Sequence, residues 1–187
     1  MKKPKIFIFP GNGDSHIETS NWYAWARDEL KRMGCEVFAD DMPDPILARE
    51  IVWLPYMAKV INADPNVILI GHSSGGVAVL RYLEYHQVLG AIIVSVNHTD
   101  LGYTEERLSG YYNHPWEWKK INEHAKWIVQ FHSKDDPFIP VAEARFVHEK
   151  IGSEYHELDD RGHFMPDHNP MNNTFPEIID VIEKKLT

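Results

Sequence analysis

The sequence predicts an α/β protein in which a six-stranded parallel sheet lies between helices, a three-layer α/β/α sandwich. Three observations carry this. Short runs rich in Ile, Val and Phe alternate along the chain with stretches whose apolar residues recur at helical spacing; such alternation gives a parallel sheet covered on both faces by helices. The β-rich runs are largely unbroken by polar residues, as strands buried on both faces must be. One of them stops at Gly71-His72-Ser73-Ser74-Gly75-Gly76 before a new apolar run from Val77 to Leu83, the pattern of a strand turning sharply into a helix around an exposed serine. At 187 residues the chain suits one domain, 1–187, with one sizeable core and no room for a large cap domain.

Taken in order, Lys5–Phe9 reads as the first strand, stopped by the turn chemistry of Pro10-Gly11-Asn12-Gly13. A helix is expected over Ser20–Met33, where Trp22, Trp25, Ala26, Leu30 and Met33 share a face and Arg27, Asp28, Lys31 and Arg32 lie opposite. Gly34 ends it, and Cys35–Ala39 forms the second strand. Asp44 is placed to cap a helix with Pro45 at its first position, running to about Ile61 with a kink or split at Pro55. The Val67 run is the third strand, its helix reaching about His86, and Gly90–Val96 is the fourth. Residues 97–118 form a long aromatic connection. Trp127–His132 is the fifth strand, Val141–Ile151 a helix, and Tyr155–Leu158 a weaker sixth strand. Thr174-Phe175-Pro176-Glu177 has the form of a capping box, opening a last helix with a stripe of Phe175, Ile178, Ile179, Ile182 and Leu186.

Composition narrows the function. The net charge is −9, with acidic and basic residues interspersed, which excludes the basic footprint that nucleic acid or an anionic membrane surface needs. A single cysteine, Cys35, permits no intrachain disulfide and fits a reducing compartment. Met1-Lys2-Lys3 resembles the start of a signal peptide, but the apolar segment Ile6–Phe9 is too short for one and ends at Pro10. No run approaches the ~20 apolar residues of a membrane span. A cytoplasmic location is expected.

The frame Gly71-x-Ser73-x-Gly75 selects Ser73 as nucleophile, because a frame centred on Ser74 would need glycine where His72 stands. A serine hydroxyl needs a general base, and the base needs an orienting acid. In this arrangement the order is Ser, acid, His, and in parallel sheets the chemistry lies at the carboxyl ends of strands. Asp135 and Asp136 follow the fifth strand, and His163 follows the sixth. Asp136 is preferred over Asp135 because Asp-Pro-x-x-Pro puts it at a rigid turn; its competing reading is a cap for the next helix. His163, beside Gly162, is preferred over His156 within a strand and His148 within a helix. The oxyanion hole is expected from the backbone N–H of Ser74 and, from the loop after the first strand, the N–H of Asn12 with Gly13 as the alternative. Among the aromatic residues, Trp116 and Phe138 are candidates for lining a substrate pocket. His156, Asp159, Asp160, His163, Asp167 and His168 match no tight metal-ligand frame, so no metal and no cofactor is expected.

These residues place the chain in a recognisable group. Pro10-Gly11-Asn12-Gly13, Trp22-Tyr23-x-Trp25, Met42-Pro43-Asp44-Pro45, Trp53-Leu54-Pro55, Gly71-His72-Ser73-Ser74-Gly75, Ser109-Gly110-Tyr111, Pro115-Trp116-x-Trp118, Asp135-Asp136-Pro137-Phe138 and Gly162-His163-Phe164 together resemble the retinoblastoma-binding protein 9-like small serine hydrolases of the α/β-hydrolase superfamily. The resemblance spans nearly the whole chain. It implies the strand order 2-1-3-4-5-6 and the roles of nucleophile, acid and base for Ser73, Asp136 and His163. It also implies hydrolase activity on small esters or amides. The family namesake's contact with the retinoblastoma protein is associated with a Leu-x-Cys-x-Glu motif shortly before the elbow strand. Here that region is Val60-Ile61-Asn62-Ala63-Asp64, so binding to that partner is not expected.

The expected function is therefore cleavage of a small ester, thioester or amide through an acyl-enzyme. The competing expectation is a catalytically weak member of the fold acting as a regulatory or protein-binding module. Natural substrate, oligomeric state and the choice between water and another acyl acceptor lie beyond the sequence.

Overall fold

The computed structural model describes residues 3–187; the Met1-Lys2 end of the leader-like stretch lies outside them. Six strands, β1 (Lys5–Phe9), β2 (Glu36–Phe38), β3 (Val67–His72), β4 (Gly90–Val94), β5 (Ile128–Ser133) and β6 (Glu154–Leu158), form one sheet in the order β2-β1-β3-β4-β5-β6. Every pairing is parallel. The helices are α1 (Tyr23–Arg32), α2 (Glu50–Ile61), α3 (Ser74–Leu83), α4 (Thr104–Ser109), α5 (Trp118–Glu123), α6 (Val141–Ile151) and α7 (Pro176–Leu186).

Period-two alternation along the central strands makes two cores. Ile6 and Ile8, Ile68 and Ile70, and Ile92 and Val94 face one side, where α1 supplies Tyr23, Ala26 and Leu30 and α7 supplies Ile178 and Ile182. Phe7 and Phe9, Val67 and Leu69, and Ala91 and Ile93 face the other, against Trp53 and Met57 of α2, Val77 and Leu80 of α3, and Val147 and Ile151 of α6. The three layers follow directly from side chains pointing to opposite faces of each strand.

The expected strands agree with the observed ones to within a residue or two at each end, and α6 falls where the sequence places it. Several helix ends differ, each for a local reason. The first helix starts at Tyr23 rather than Ser20, since Asn21 takes a left-handed backbone with φ 49°. Asp44 does not cap the second helix. Its own φ is 52°, and its carboxylate instead accepts from the N–H and Nε of Arg49 at 3.2 and 2.7 Å, so that helix begins at Glu50. Pro55 does not split it. The carbonyl deprived of a donor belongs to Ile51, an exposed residue that water can reach. The third helix stops at Leu83, short of His86. The 97–118 connection holds the helix α4 and runs into α5, both too short to show periodicity. The capping box does not form. Thr174 turns its hydroxyl to the Met171 carbonyl, and Glu177 pairs with Arg161 at 3.1 Å, leaving Pro176 to open α7.

Between β1 and β3 the sheet order reverses direction. Such a switch point opens a crevice at the carboxyl ends of the strands, and the candidate site lies there. Among the described residues no helix is long and apolar enough to cross a membrane.

Candidate active site

Ser73 stands at the apex between β3 and α3 with φ 52° and ψ −124°. This left-handed backbone costs a non-glycine residue on the order of 1–3 kcal/mol. It is held by the Ser73 N–H donating to the Val94 carbonyl at 2.8 Å and by the Ser73 carbonyl accepting from Val77 at 3.0 Å. The flanking glycines let strand and helix meet. A Cβ on Gly71 would lie 2.5 Å from the Gly75 carbonyl oxygen, and one on Gly75 would collide with the carbonyl oxygens of Phe9 and Pro10 at the end of β1.

The loop after β1 runs alongside. The Gly11 N–H donates to the Tyr23 hydroxyl at 3.1 Å, and the Gly13 N–H donates to the Pro45 carbonyl at 2.8 Å. Gly13 thus has its N–H engaged; Asn12 and Gly13 both line a cavity of about 480 Å³ together with Ser73 and His163. Ser74, as the first residue of α3, presents its N–H at the positive end of the helix dipole.

Asp136 lies in the turn after β5, its side chain fully buried. One carboxylate oxygen accepts from the backbone N–H groups of Phe138 and Ile139 at 2.9 and 3.0 Å; the other accepts from His163 Nδ1 at 2.7 Å. Burial alone would raise the Asp136 pKa. The His163 hydrogen bond, its charge and the two backbone donors outweigh burial, and the carboxyl titrates below its ordinary value. An ionised carboxylate only accepts, so Nδ1 of His163 carries the hydrogen and Nε2 is left bare, the tautomer of a general base.

The rival acid has another use. Asp135 accepts from the Ser133 hydroxyl and from the Gly162 N–H, at 2.5 and 2.9 Å, and so shapes the loop that carries His163. That loop is also pinned to α7. Arg161, buried, donates to Asn172 and to Glu177, and the Phe164 ring stacks on Phe175 with centroids 4.9 Å apart.

Of the two pocket candidates, Phe138 lines the cavity and sets its ring edge-on to His163, centroids 5.1 Å apart. Trp116 is a correction. It does not line the cavity; its ring stacks on Trp118 at 5.0 Å and covers the Arg81 guanidinium at 3.6 Å. The cavity wall on that side comes instead from Leu101, Tyr103, Glu105 and Glu106. Their position after β4 was the available signal, but nothing in the sequence ranks them above the larger rings that follow. His72 and Asp14, also lining residues, carry no motif of their own. His156 stacks on Phe131 at 4.8 Å, on the β6 side of the sheet. Among the described residues no three His, Cys, Asp or Glu side chains converge as metal ligands.

A parallel sheet with a strained serine at the carboxyl end of its third strand, sharing a cavity with the histidine of an Asp–His pair, defines the α/β-hydrolase fold. The family model for serine hydrolases matches residues 6–183, and the chain belongs to that family. Among its relatives, the serine hydrolase RBBP9 of Rattus norvegicus is 44% identical over 184 residues, covering 98% of this chain and 96% of that one. The putative hydrolase YdeN of Bacillus subtilis is 28% identical over 95% of this chain and 94% of its own. The crystal structure of the B. subtilis ydeN product superposes with a TM-score of 0.89 at 26% identity, covering 98% and 99% of the two chains. Est1E from Butyrivibrio proteoclasticus, at 12% identity over 99% of this chain and 89% of its own, shares the fold with a TM-score of 0.77.

Proposed function

We propose that this serine hydrolase cleaves small ester, thioester or amide substrates through a Ser73–His163–Asp136 triad and an acyl-enzyme. The supporting observation is the 2.7 Å Asp136–His163 hydrogen bond set in the same cavity as the strained Ser73. His163 Nε2 takes the Ser73 proton as Oγ attacks the carbonyl carbon. Asp136 holds the imidazole tautomer and stabilises the imidazolium that forms. The negative charge on the former carbonyl oxygen is met by the N–H groups of Asn12 and Ser74; each such donor is typically worth ~10²–10³ in rate. The imidazolium then gives its proton to the leaving alcohol, thiol or amine. Water, deprotonated by the same nitrogen, frees the acid and restores Ser73.

Lining carboxyls favour neutral or cationic substrates. Glu105 and Glu106 face the cavity and no Lys or Arg lines it among the described residues, so an ester with a carboxylate tail meets like charge. This fits both a carboxylesterase-like and an aminopeptidase-like reading. Labelling with a fluorophosphonate probe tests the assignment. Wild type is expected to label and Ser73→Ala to resist. Equal labelling of the two sinks it.

A further inference from the structure

Behind the oxyanion loop lies a buried chain of polar groups that the reaction above does not use. His72 Nε2 lies 2.9 Å from the backbone carbonyl of His163. A carbonyl only accepts, so Nε2 carries the hydrogen. The Tyr23 hydroxyl lies 2.6 Å from His72 Nδ1 and 2.9 Å from Asp14 Oδ2, and it receives the Gly11 N–H at 3.1 Å. Asn21 Nδ2 stands 3.0 Å from the phenol oxygen and 3.1 Å from the same Asp14 oxygen. Tyr23 and His72 are fully buried, with the Trp22 ring edge-on to Tyr23 at 4.9 Å.

The protons do not balance for ordinary ionisation states. An ionised Asp14 and a neutral His72 present two acceptors to a single phenol proton, and both are within hydrogen-bond distance. One more proton satisfies both contacts. Placed on Asp14, it is donated to the phenol oxygen, whose other lone pair takes the Gly11 N–H; Asn21 then donates to Asp14, and the phenol donates to His72. Resting on the triad reading above, we propose that Tyr23 is a positioning residue that ties the oxyanion loop to the backbone of the base. It does so fully only while the Asp14–Tyr23–His72 chain holds this extra proton. Loss of the proton leaves the hydroxyl to choose between its two acceptors, so either Asp14 beside the oxyanion loop or His72 beneath His163 loses its partner.

The titratable groups facing the chain are His163 and Asp136, from the loops after β6 and β5; Ser20, Asn21 and the Gly11 N–H face it as neutral donors. The charge environment favours the proton on Asp14. Burial raises its pKa, while burial and then His163 push His72 down to about 3.

Tyr23 does not line the cavity, so its loss should fall on kcat rather than KM. The Tyr23→Phe variant keeps the ring and its packing; kcat is expected to drop about 10- to 100-fold, the scale of a small misplacement of reacting groups, with KM near that of wild type. Asp14→Asn presents a neutral amide at every pH. It should erase the chain's step from the kcat–pH profile and be less impaired than Tyr23→Phe. Independently of turnover, NMR of wild type should show the Asp14 carboxyl carbon titrating above the ordinary ~3.9, with the His72 Nδ1 resonance moving at the same pH, as coupled sites do. The His72 response should vanish in Tyr23→Phe. Titration of Asp14 without any response at His72 overturns the proposal, as does a Tyr23→Phe enzyme with wild-type kcat and pH profile. If Tyr23→Phe does not fold, the wild-type titration and Asp14→Asn decide. The two readings fail separately: an active Ser73→Ala removes the triad but leaves the coupled titration to judge the chain. A dead Ser73→Ala with a silent His72 removes the chain alone.

Discussion

At the scale of single residues, the candidate site depends on which atoms of its carboxylates and imidazoles carry hydrogens. Asp136→Asn keeps the shape of the turn but lets the amide face His163 with the wrong hydrogen pattern, so the base nitrogen is no longer left bare. A fall in kcat of about 10⁴ is expected, read with an aryl ester at saturating substrate. His72 links the site to stability. Its folded pKa of about 3 lies below the ordinary 6.5, so the unfolded chain takes up the proton first as pH falls. The stability this confers is fully present above about pH 6.5 and is lost progressively toward pH 3, an effect on the order of 5 kcal/mol. Urea midpoints should decline across that window in wild type. His72→Gln, less stable overall, should show a shallower decline; an unchanged slope in that variant counts against the assignment.

At the scale of elements, the connection from β4 to β5 is held by one buried cation. Arg81, on α3, pairs with Glu84 at 2.7 Å, both side chains being fully buried. It also donates to the carbonyls of Tyr111, His114 and Pro115. Arg81→Ala should cost about 3–5 kcal/mol, because it leaves Glu84 buried without its partner; chemical denaturation measures this, and a loss under about 1 kcal/mol shows that the connection is held some other way. This network also marks where the sequence stops being legible. Strands, their order of appearance and the elbow could be read because each is a local pattern: apolar runs, helical spacing, glycines forced by a close crossing. That Asp136 and His163 would meet was legible for the same reason, both being turn residues after strands. Trp116 was not, because its place depends on Arg81, more than thirty residues earlier in the chain, which draws the ring over its guanidinium. The failed cap at Thr174 has the same origin. Glu177 is claimed by Arg161 from another loop, a contact no window of sequence contains.

For the molecule as a whole, no cap domain covers the cavity of about 480 Å³ among the described residues, and substrates without a long acyl tail should be preferred. Acetyl and butyryl aryl esters should be turned over with higher kcat/KM than palmitoyl ones by about 10-fold or more, since a long chain finds no enclosed surface on which to gain its burial energy. Equal rates across chain length would show that another surface binds the acyl tail. The pinning of the His163 loop to α7, through Arg161, Asn172 and Phe164, bears on how the chain acquires activity during folding. The proposed nucleophile and its elbow belong to the first half of the sequence, but the loop that carries the proposed base is pinned to the last helix. Parallel pairings close over long sequence separations and form slowly, and a chain emerging from synthesis folds from its N-terminal end. A nascent or partly folded molecule therefore displays a strained serine without a base in position. On the proposed triad, hydrolytic competence should come last in folding, and the recovery of activity on refolding should report the docking of α7 rather than the collapse of the sheet.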